Sequence, residues 1–218
     1  MSGSGQGSVL SQQLIDGLIL QGESPEYHPV DAYLAYLELL QQWNKAYSLT
    51  AIRQPAAMVA YHILDSLSVL PYLDGKVCLD VGSGAGLPGL ILALARPDSY
   101  WTLLDSNGKK IRFINQVIME LGLKNVEAVS CRIEDFHTET PYSTVTARAW
   151  GPLYNLYQVT RHLIHSSGHL LAMKGPDVTD ELVELEHCAV TAKVHSLVVP
   201  GVESLRTLVD IVVLPSRN

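Results

Sequence analysis

The chain has 218 residues, a net charge of −7 and three cysteines, enough for one good-sized α/β domain with an extension and for a core that needs neither disulfides nor metals. The acidic balance speaks against sequence-independent nucleic-acid binding, and Cys78, Cys131 and Cys188, scattered and without a C-x-x-C, speak against a disulfide framework or a zinc ribbon and suit a reducing cytoplasm. The longest apolar run, near LPGLILALA, is far short of a membrane span, and MSGSGQGS lacks the basic and apolar regions of a secretory signal, so a cytoplasmic protein without membrane contact is expected.

Residues 1–8 read as a flexible tail and residues 9–75 as a helical extension. VLSQQLIDGLIL predicts a short helix, broken between Gly22 and Pro29. Val30, Tyr33, Leu34, Leu37, Leu40 and Trp43 recur at helical spacing and predict an amphipathic helix over 30–46. After the loop YSLTAIRQP, Pro55 opens a helix that turns Met58, Val59, Leu64 and Leu67 inward and ends near Pro71. From residue 76 to 218 strands and helices alternate. KVCLDV, YWTLLD, VEAVSC, YSTVTARA and HLLAMKG predict strands. PGLILALARP, GKKIRFINQVIMELGL, PLYNLYQVTRHLIHSSG and TDELVELEHCAV predict helices, the third ended by Gly168. AKVHSLVVP and RTLVDIVVL have no helix between them and predict an antiparallel hairpin at one edge. The expected fold class is α/β: a doubly wound, Rossmann-like seven-stranded sheet with an antiparallel C-terminal hairpin and a helical N-terminal extension.

DVGSGAGLPG, residues 80–89, follows the first strand of that sheet. Gly82 and Gly84 fit the dinucleotide fingerprint G-x-G-x-x-G, but position 87 is Leu, and Asp80 would repel a pyrophosphate. S-adenosylmethionine carries an ammonium and a sulfonium and no phosphate, so an acid at the strand end complements it. The spacing from Asp80 through Gly82 and Gly84 to Gly86 is that of doubly wound S-adenosylmethionine methyltransferases. For the loop alone, a tight turn without ligand is the other reading. Asp105 ends the second strand, where it can accept from both ribose hydroxyls or cap the next helix. RIEDF, residues 132–136, offers a backbone amide and a carboxylate to the adenine edge after the third strand. All three lie at consecutive strand ends on one side of the sheet, where such folds bind ligands.

WNKAYSLTAIR, HILDSL, DVGSGAGLPGL, TLLDSNGKKIRF, ARAW and LLAMKG together resemble the glucose-inhibited division protein B family, from about residue 30 to the C-terminus. The resemblance implies an S-adenosylmethionine-dependent methyltransferase domain over 76–218 acting on ring nitrogen 7 of a guanine in 16S ribosomal RNA, with that RNA or the small ribosomal subunit as partner. It also implies cofactor contacts at Gly82, Leu87, Ile133, Glu134 and Arg148. Two positions depart from the family pattern: Tyr61 stands where Arg is usual, and Ala147 where Ser is usual. These bear on substrate contact more than on reaction class.

Guanine nitrogen 7 has a free lone pair in the neutral base, so its methylation needs alignment and exclusion of water but no general base. A cysteine nucleophile for pyrimidine carbon 5 is not expected, because Cys78 lies inside the first strand and the other two cysteines lack a matching motif. Exocyclic-amine methylation resembles families with an Asn/Asp-Pro-Pro-aromatic loop after the fourth strand, where this chain reads RAWGP. Arg148 has three readings there: holding the cofactor, contacting the target phosphate, or hydrogen-bonding guanine oxygen 6. Trp150 either stacks on a base or packs in the core. Lys174, after the fifth strand, is expected on phosphate. Lys109, Lys110 and Arg112 open a helix against its dipole, which points to an anionic partner or to ordinary surface. Arg53 and His62 on the extension offer a second RNA face. His62 and Asp65, three apart on one helix face, read as a hydrogen-bonded pair or as pocket residues. His162, His165 and His169 are not expected to bind metal, since Gly168 places His169 on another element. Two alternatives stay open: a small-molecule or protein methyltransferase on the same fold, and a non-catalytic cofactor-binding protein associated with RNA. The expected state is a monomer that does not bind DNA.

Overall fold

The computed structural model describes residues 3–214. The extension holds α1 (Gly3–Leu20), α2 (Val30–Tyr47), α3 (Pro55–Met58) and α4 (Asp65–Leu67), the last two joined by a π-helical stretch, Val59–Leu64. The remainder runs β1 (Val77–Val81), α5 (Gly89–Ala95), β2 (Tyr100–Asp105), α6 (Gly108–Glu120), β3 (Val126–Ser130), β4 (Tyr142–Arg148), α7 (Leu153–Thr160), β5 (Ile164–Lys174), α8 (Thr179–Val183), β6 (Val190–Leu197) and β7 (Arg206–Val213). The seven strands form one sheet in the order β3-β2-β1-β4-β5-β7-β6. β7 runs antiparallel to both its neighbours, β5 and β6, and the other strand pairs are parallel. Among the described residues no helix is long and apolar enough to cross a membrane.

The extension shares a core with the sheet. Tyr33, Tyr36, Leu37 and Leu40 recur three or four apart and are buried along one face of α2. They pack with Leu14 and Leu18 of α1, Ile63 and Leu64 of the π stretch, and Leu90 and Phe113 of α5 and α6. A second core joins β4, β5 and β7 to α7 through Val145, Leu153, Leu156, Leu170 and Val209. After α2, Asn44 holds the next loop through both ends of its amide, donating to Thr50 O and accepting from Thr50 N at 3.0 and 2.9 Å. That fixes Thr50 close to the sheet's active edge.

Three boundaries differ from the sequence reading. Residues 3–8, expected in the tail, belong to α1, while Met1 and Ser2 lie outside the described residues. The helix expected to continue to Gly168 ends at Thr160 with a single 3₁₀ turn, Arg161–Leu163, so His165 and His169 both lie on β5. Gly168 marks a close approach within the sheet: a Cβ there would stand 2.9 Å from His165 O and 3.0 Å from Ser143 O. α8 is five residues long and stops well short of Val190, which opens β6.

Candidate active site

The glycine loop leaves β1 with Gly82, Gly84 and Gly86 at φ of 68°, 60° and 83°, a left-handed region in which other residues are strained. Leu104 O accepts from Gly82 N and Ser83 N at 2.8 and 3.0 Å, and the Tyr36 hydroxyl on α2 donates to Ala85 O at 2.9 Å. The extension therefore braces the loop directly. Asp80 does so from below. Its Oδ1 accepts from Thr146 Oγ1 at 2.9 Å and its Oδ2 from Gly89 N at 3.1 Å. Full burial pushes its carboxyl up to about 6, with those hydrogen bonds opposing the rise. Asp80 was expected to face the cofactor; instead it is spent on the strand-to-helix turn, and its Cβ packs where Gly89 leaves no room for a side chain, 2.8 Å from a Cβ placed there. Leu87 lies in the core beneath the loop.

Beyond the loop lies a crevice of about 330 Å³, lined by Gly82, Asp105, Lys110, Ile133, Glu134 and Trp150 among others. Asp105, Ile133 and Glu134 meet there as the strand ends predict. Asp105 is nonetheless heavily engaged by the protein: Oδ1 accepts from Asn107 N at 2.8 Å, and Oδ2 accepts from Gly84 N at 2.9 Å and Lys110 Nζ at 3.3 Å. The helix cap falls to Asn107, whose side chain accepts from Lys109 N at 3.0 Å. Lys110, expected on RNA, is thus a wall of the crevice. Lys109 and Arg112 are exposed on the start of α6, the Arg112 guanidinium 6.0 Å from the Tyr47 ring centre.

A second cavity, of about 380 Å³, opens on the other side of residues 148–150 and is lined by Tyr61, His62, Asp65, Arg148, Lys174 and Arg206 among others. Asp65 is its hub. Its Oδ2 lies 3.2 Å from Arg148 Nη1 and its Oδ1 3.1 Å from Arg206 Nε. Arg148 Nη1 also donates to Tyr61 O at 3.0 Å. Of its readings, the structure therefore places Arg148 on this cavity and not on the crevice wall. Of the two readings of His62 and Asp65 the pocket one holds: both line the cavity, and they do not pair with each other. His62 Nε2 instead meets Thr50 Oγ1 at 3.1 Å. Burial, reinforced by the Arg148 guanidinium, lowers its pKa to about 4 and keeps it neutral. Lys174, expected on phosphate, is held by Glu181 Oε2 at 2.7 Å and donates to Gly151 O at 2.8 Å. Arg53 is exposed one residue past the cavity-lining Ile52.

The sequence did not single out Arg206, and Tyr61 stood out only as a departure from the family pattern that bears on substrate contact. The signal for Arg206 was present: β7 is antiparallel, so its first residue arrives at the edge where Arg148 and Lys174 end parallel strands, with Lys174 opposite Thr207. His162 and His169 make separate contacts. His169 Nδ1 is 2.8 Å from Asp210 Oδ1, whereas His162 Nε2 reaches Phe136 O at 3.4 Å.

A doubly wound sheet closed by an antiparallel β7, with a glycine-loop crevice at the ends of β1, β2 and β3, defines the methyltransferase class. Solved structures agree on the fold. An S-adenosylmethionine-dependent O-methyltransferase from Thermotoga maritima matches with a TM-score of 0.59 at 14% identity over 71% of this chain and 66% of that one. An S-adenosylmethionine-dependent methyltransferase from Aquifex aeolicus matches with a TM-score of 0.56 at 15% identity over 83% and 98%. The family described as rRNA small subunit methyltransferase G matches residues 30–209. Relatives named ribosomal RNA small subunit methyltransferase G include one from Hydrogenovibrio crunogenus, 49% identical over 82% of either chain, and one from Nitrosococcus oceani, 46% identical over 94% of this chain and 95% of that one. The chain belongs to this family, and its cofactor is S-adenosylmethionine. The crevice suits that molecule: carboxylates at Asp105 and Glu134 stand beside glycine backbone, and a Cβ at Gly82 would intrude to 3.2 Å from the Trp150 indole.

Proposed function

We propose that the protein methylates ring nitrogen 7 of a guanine in 16S ribosomal RNA, acting in line and without a general base. The RNA part of the reading is supported by the names of the relatives, and the guanine part by the motif resemblance. The observation that carries the mechanism is the second cavity. It presents three basic side chains, Arg148, Lys174 and Arg206, around one acid, Asp65, whose two oxygens are both taken by arginine. Both of its buried titratable groups are engaged: the two Asp65 oxygens are paired with Arg148 and Arg206, and His62, lowered to about 4, has little affinity for a proton near neutral pH.

Bound S-adenosylmethionine supplies a methyl group on a positively charged sulfur. The residues around it have to bind, orient and dry the acceptor. Gly82, Asp105, Ile133, Glu134 and the backbone of the loop from Gly84 to Leu87 hold the cofactor end in this reading. Arg148, fixed by Asp65 and Tyr61 O, stands between the cofactor crevice and the acceptor, where its fork can meet guanine oxygen 6 or the flanking phosphate. Arg53, Lys109 and Arg112 extend the basic rim toward the RNA backbone. The RNA partner in this reading is the 16S strand, free or within the small subunit.

The test is product mapping. Cells lacking the gene should lose one 7-methylguanine from 16S RNA, and the purified protein should restore it to small subunits or RNA from those cells. At saturating RNA the single-turnover rate should stay nearly flat between about pH 6.5 and 8.5. A methyl found on another atom, or a tenfold rise per pH unit, would remove this mechanism.

A further inference from the structure

Residues 148–150 form the partition between the two cavities: Arg148 and Ala149 line the second cavity, and Trp150 lines the crevice. Ala149 turns the chain between them at φ 54°. With the cofactor in the crevice and the acceptor in the second cavity, as proposed above, the methyl group passes beside this tripeptide. Trp150 was expected either to stack on a base or to pack in the core. The core reading holds in part, since Trp150 is partly buried against the second core, and its indole also lies against the glycine loop, with Cδ1 and Nε1 each 3.2 Å from a Cβ built on Gly82. The segment that carries it is pinned on its far side. Gly151 O accepts from Lys174 Nζ at 2.8 Å, and Glu181 Oε2 accepts from Leu153 N at 2.7 Å while pairing with Lys174 at 2.7 Å. The two acids flanking the loop are committed elsewhere, Asp80 to Thr146 and Gly89, Asp105 to Gly84, Asn107 and Lys110. Glu134 also lines the crevice, and the indole is the aromatic group of its wall beside the loop.

We propose that Trp150 holds the sulfonium of S-adenosylmethionine against its indole face, and that this contact makes the site prefer the charged cofactor to its neutral product. Methyl transfer breaks the sulfur–methyl bond and leaves the bonding pair on sulfur. The methyl carbon bonds to the acceptor's lone pair, and the positive charge departs with the acceptor. The attraction between ring and cation ends with the charge, so S-adenosylhomocysteine loses a contact that the incoming cofactor regains. The inference rests on the cofactor and is independent of which RNA atom is methylated.

Calorimetric titration of the full chain with S-adenosylmethionine and with S-adenosylhomocysteine tests it. Trp150→Leu should weaken the first by about tenfold and the second by no more than about twofold, with Trp150→Phe in between. Retained binding of the neutral product shows that the site is folded. A fluorotryptophan series in the otherwise unchanged protein gives a second measure, since Trp43 and Trp101 line neither cavity. Affinity for the cofactor should fall with each added fluorine while affinity for the product stays constant. Equal losses for both ligands would mean that the indole stacks on the adenosine, and no loss for either would remove it from the site; both outcomes overturn the proposal.

Discussion

Burial drives Asp80 and His62 toward their neutral forms, and the two effects on stability oppose each other. Asp80 is raised to about 6, so the folded chain keeps a proton that the unfolded chain releases near 3.8. That stabilisation is complete below about pH 3.8 and is lost as pH rises through about 6. His62 is lowered from 6.5 to about 4, so its stabilisation is complete above about pH 6.5 and is lost as pH falls through about 4. Each effect is on the order of 3 kcal/mol, and between about pH 4 and 6 they offset one another. Asp80→Asn should therefore make stability rise with pH across that window relative to the wild type. His62→Gln should make it fall. Urea unfolding at several pH values between about 4 and 6.5 checks both, and difference curves that stay flat would show that neither group titrates as its surroundings require.

At the scale of elements, the helices and strands with clean periodicity were legible, and those shaped by contacts distant in sequence were not. α2 follows from its buried stripe, β1 from a short apolar run with Asp80 next to its end, and β2 from one ending in Asp105. The π stretch is invisible in Met58, Val59, Leu64 and Leu67, whose spacing suits either winding. Its consequence is tertiary, in that it leaves Tyr61 O to accept from Arg148. The segment from Arg161 to Gly168 was misread because a glycine after an apolar pattern resembles a helix stop. In the fold, Gly168 is needed because β4 passes so close, with a register shift between Tyr142 and Thr144. A glycine capping a helix and one under a neighbouring strand respond differently to a methyl group. Gly168→Ala should lower stability by about 1–3 kcal/mol, because the Cβ meets two backbone carbonyls that cannot turn aside. Urea denaturation measures this, and a change within about 0.5 kcal/mol would mean that the strands part freely there.

For the molecule as a whole, the site's location was readable because parallel strands bring their C-terminal ends to one edge, which put Asp105, Ile133, Glu134 and Arg148 near one another before any coordinates. Which charges remain available was not readable. Asp65 meets Arg206 across 141 residues, and Lys174 is claimed by Glu181. The same pairing changes what the basic rim should do. Lys109 and Lys110 are adjacent in sequence, yet Lys109 is exposed while Lys110 is paired with Asp105 in the crevice wall. Treating them as one RNA-binding pair would mix two effects. Lys109→Glu should weaken RNA binding and reduce the slope of log affinity against log salt by about one, the release of roughly one counterion, with cofactor affinity within about threefold. Lys110→Glu should place a second carboxylate beside Asp105, disturb the hydrogen bond from Gly84 N, and weaken the cofactor by more than threefold whatever the salt. Equilibrium binding of both ligands at several salt concentrations separates the two. If Lys109→Glu leaves the salt slope unchanged, the start of α6 is solvated surface, and the RNA backbone must run over Arg53 and the extension. If Lys110→Glu leaves the cofactor unaffected, the Lys110–Asp105 pair plays no part in shaping the crevice, and the glycine loop is held without it, by Leu104 O, Tyr36, Asp80 and the Asp105–Gly84 bond.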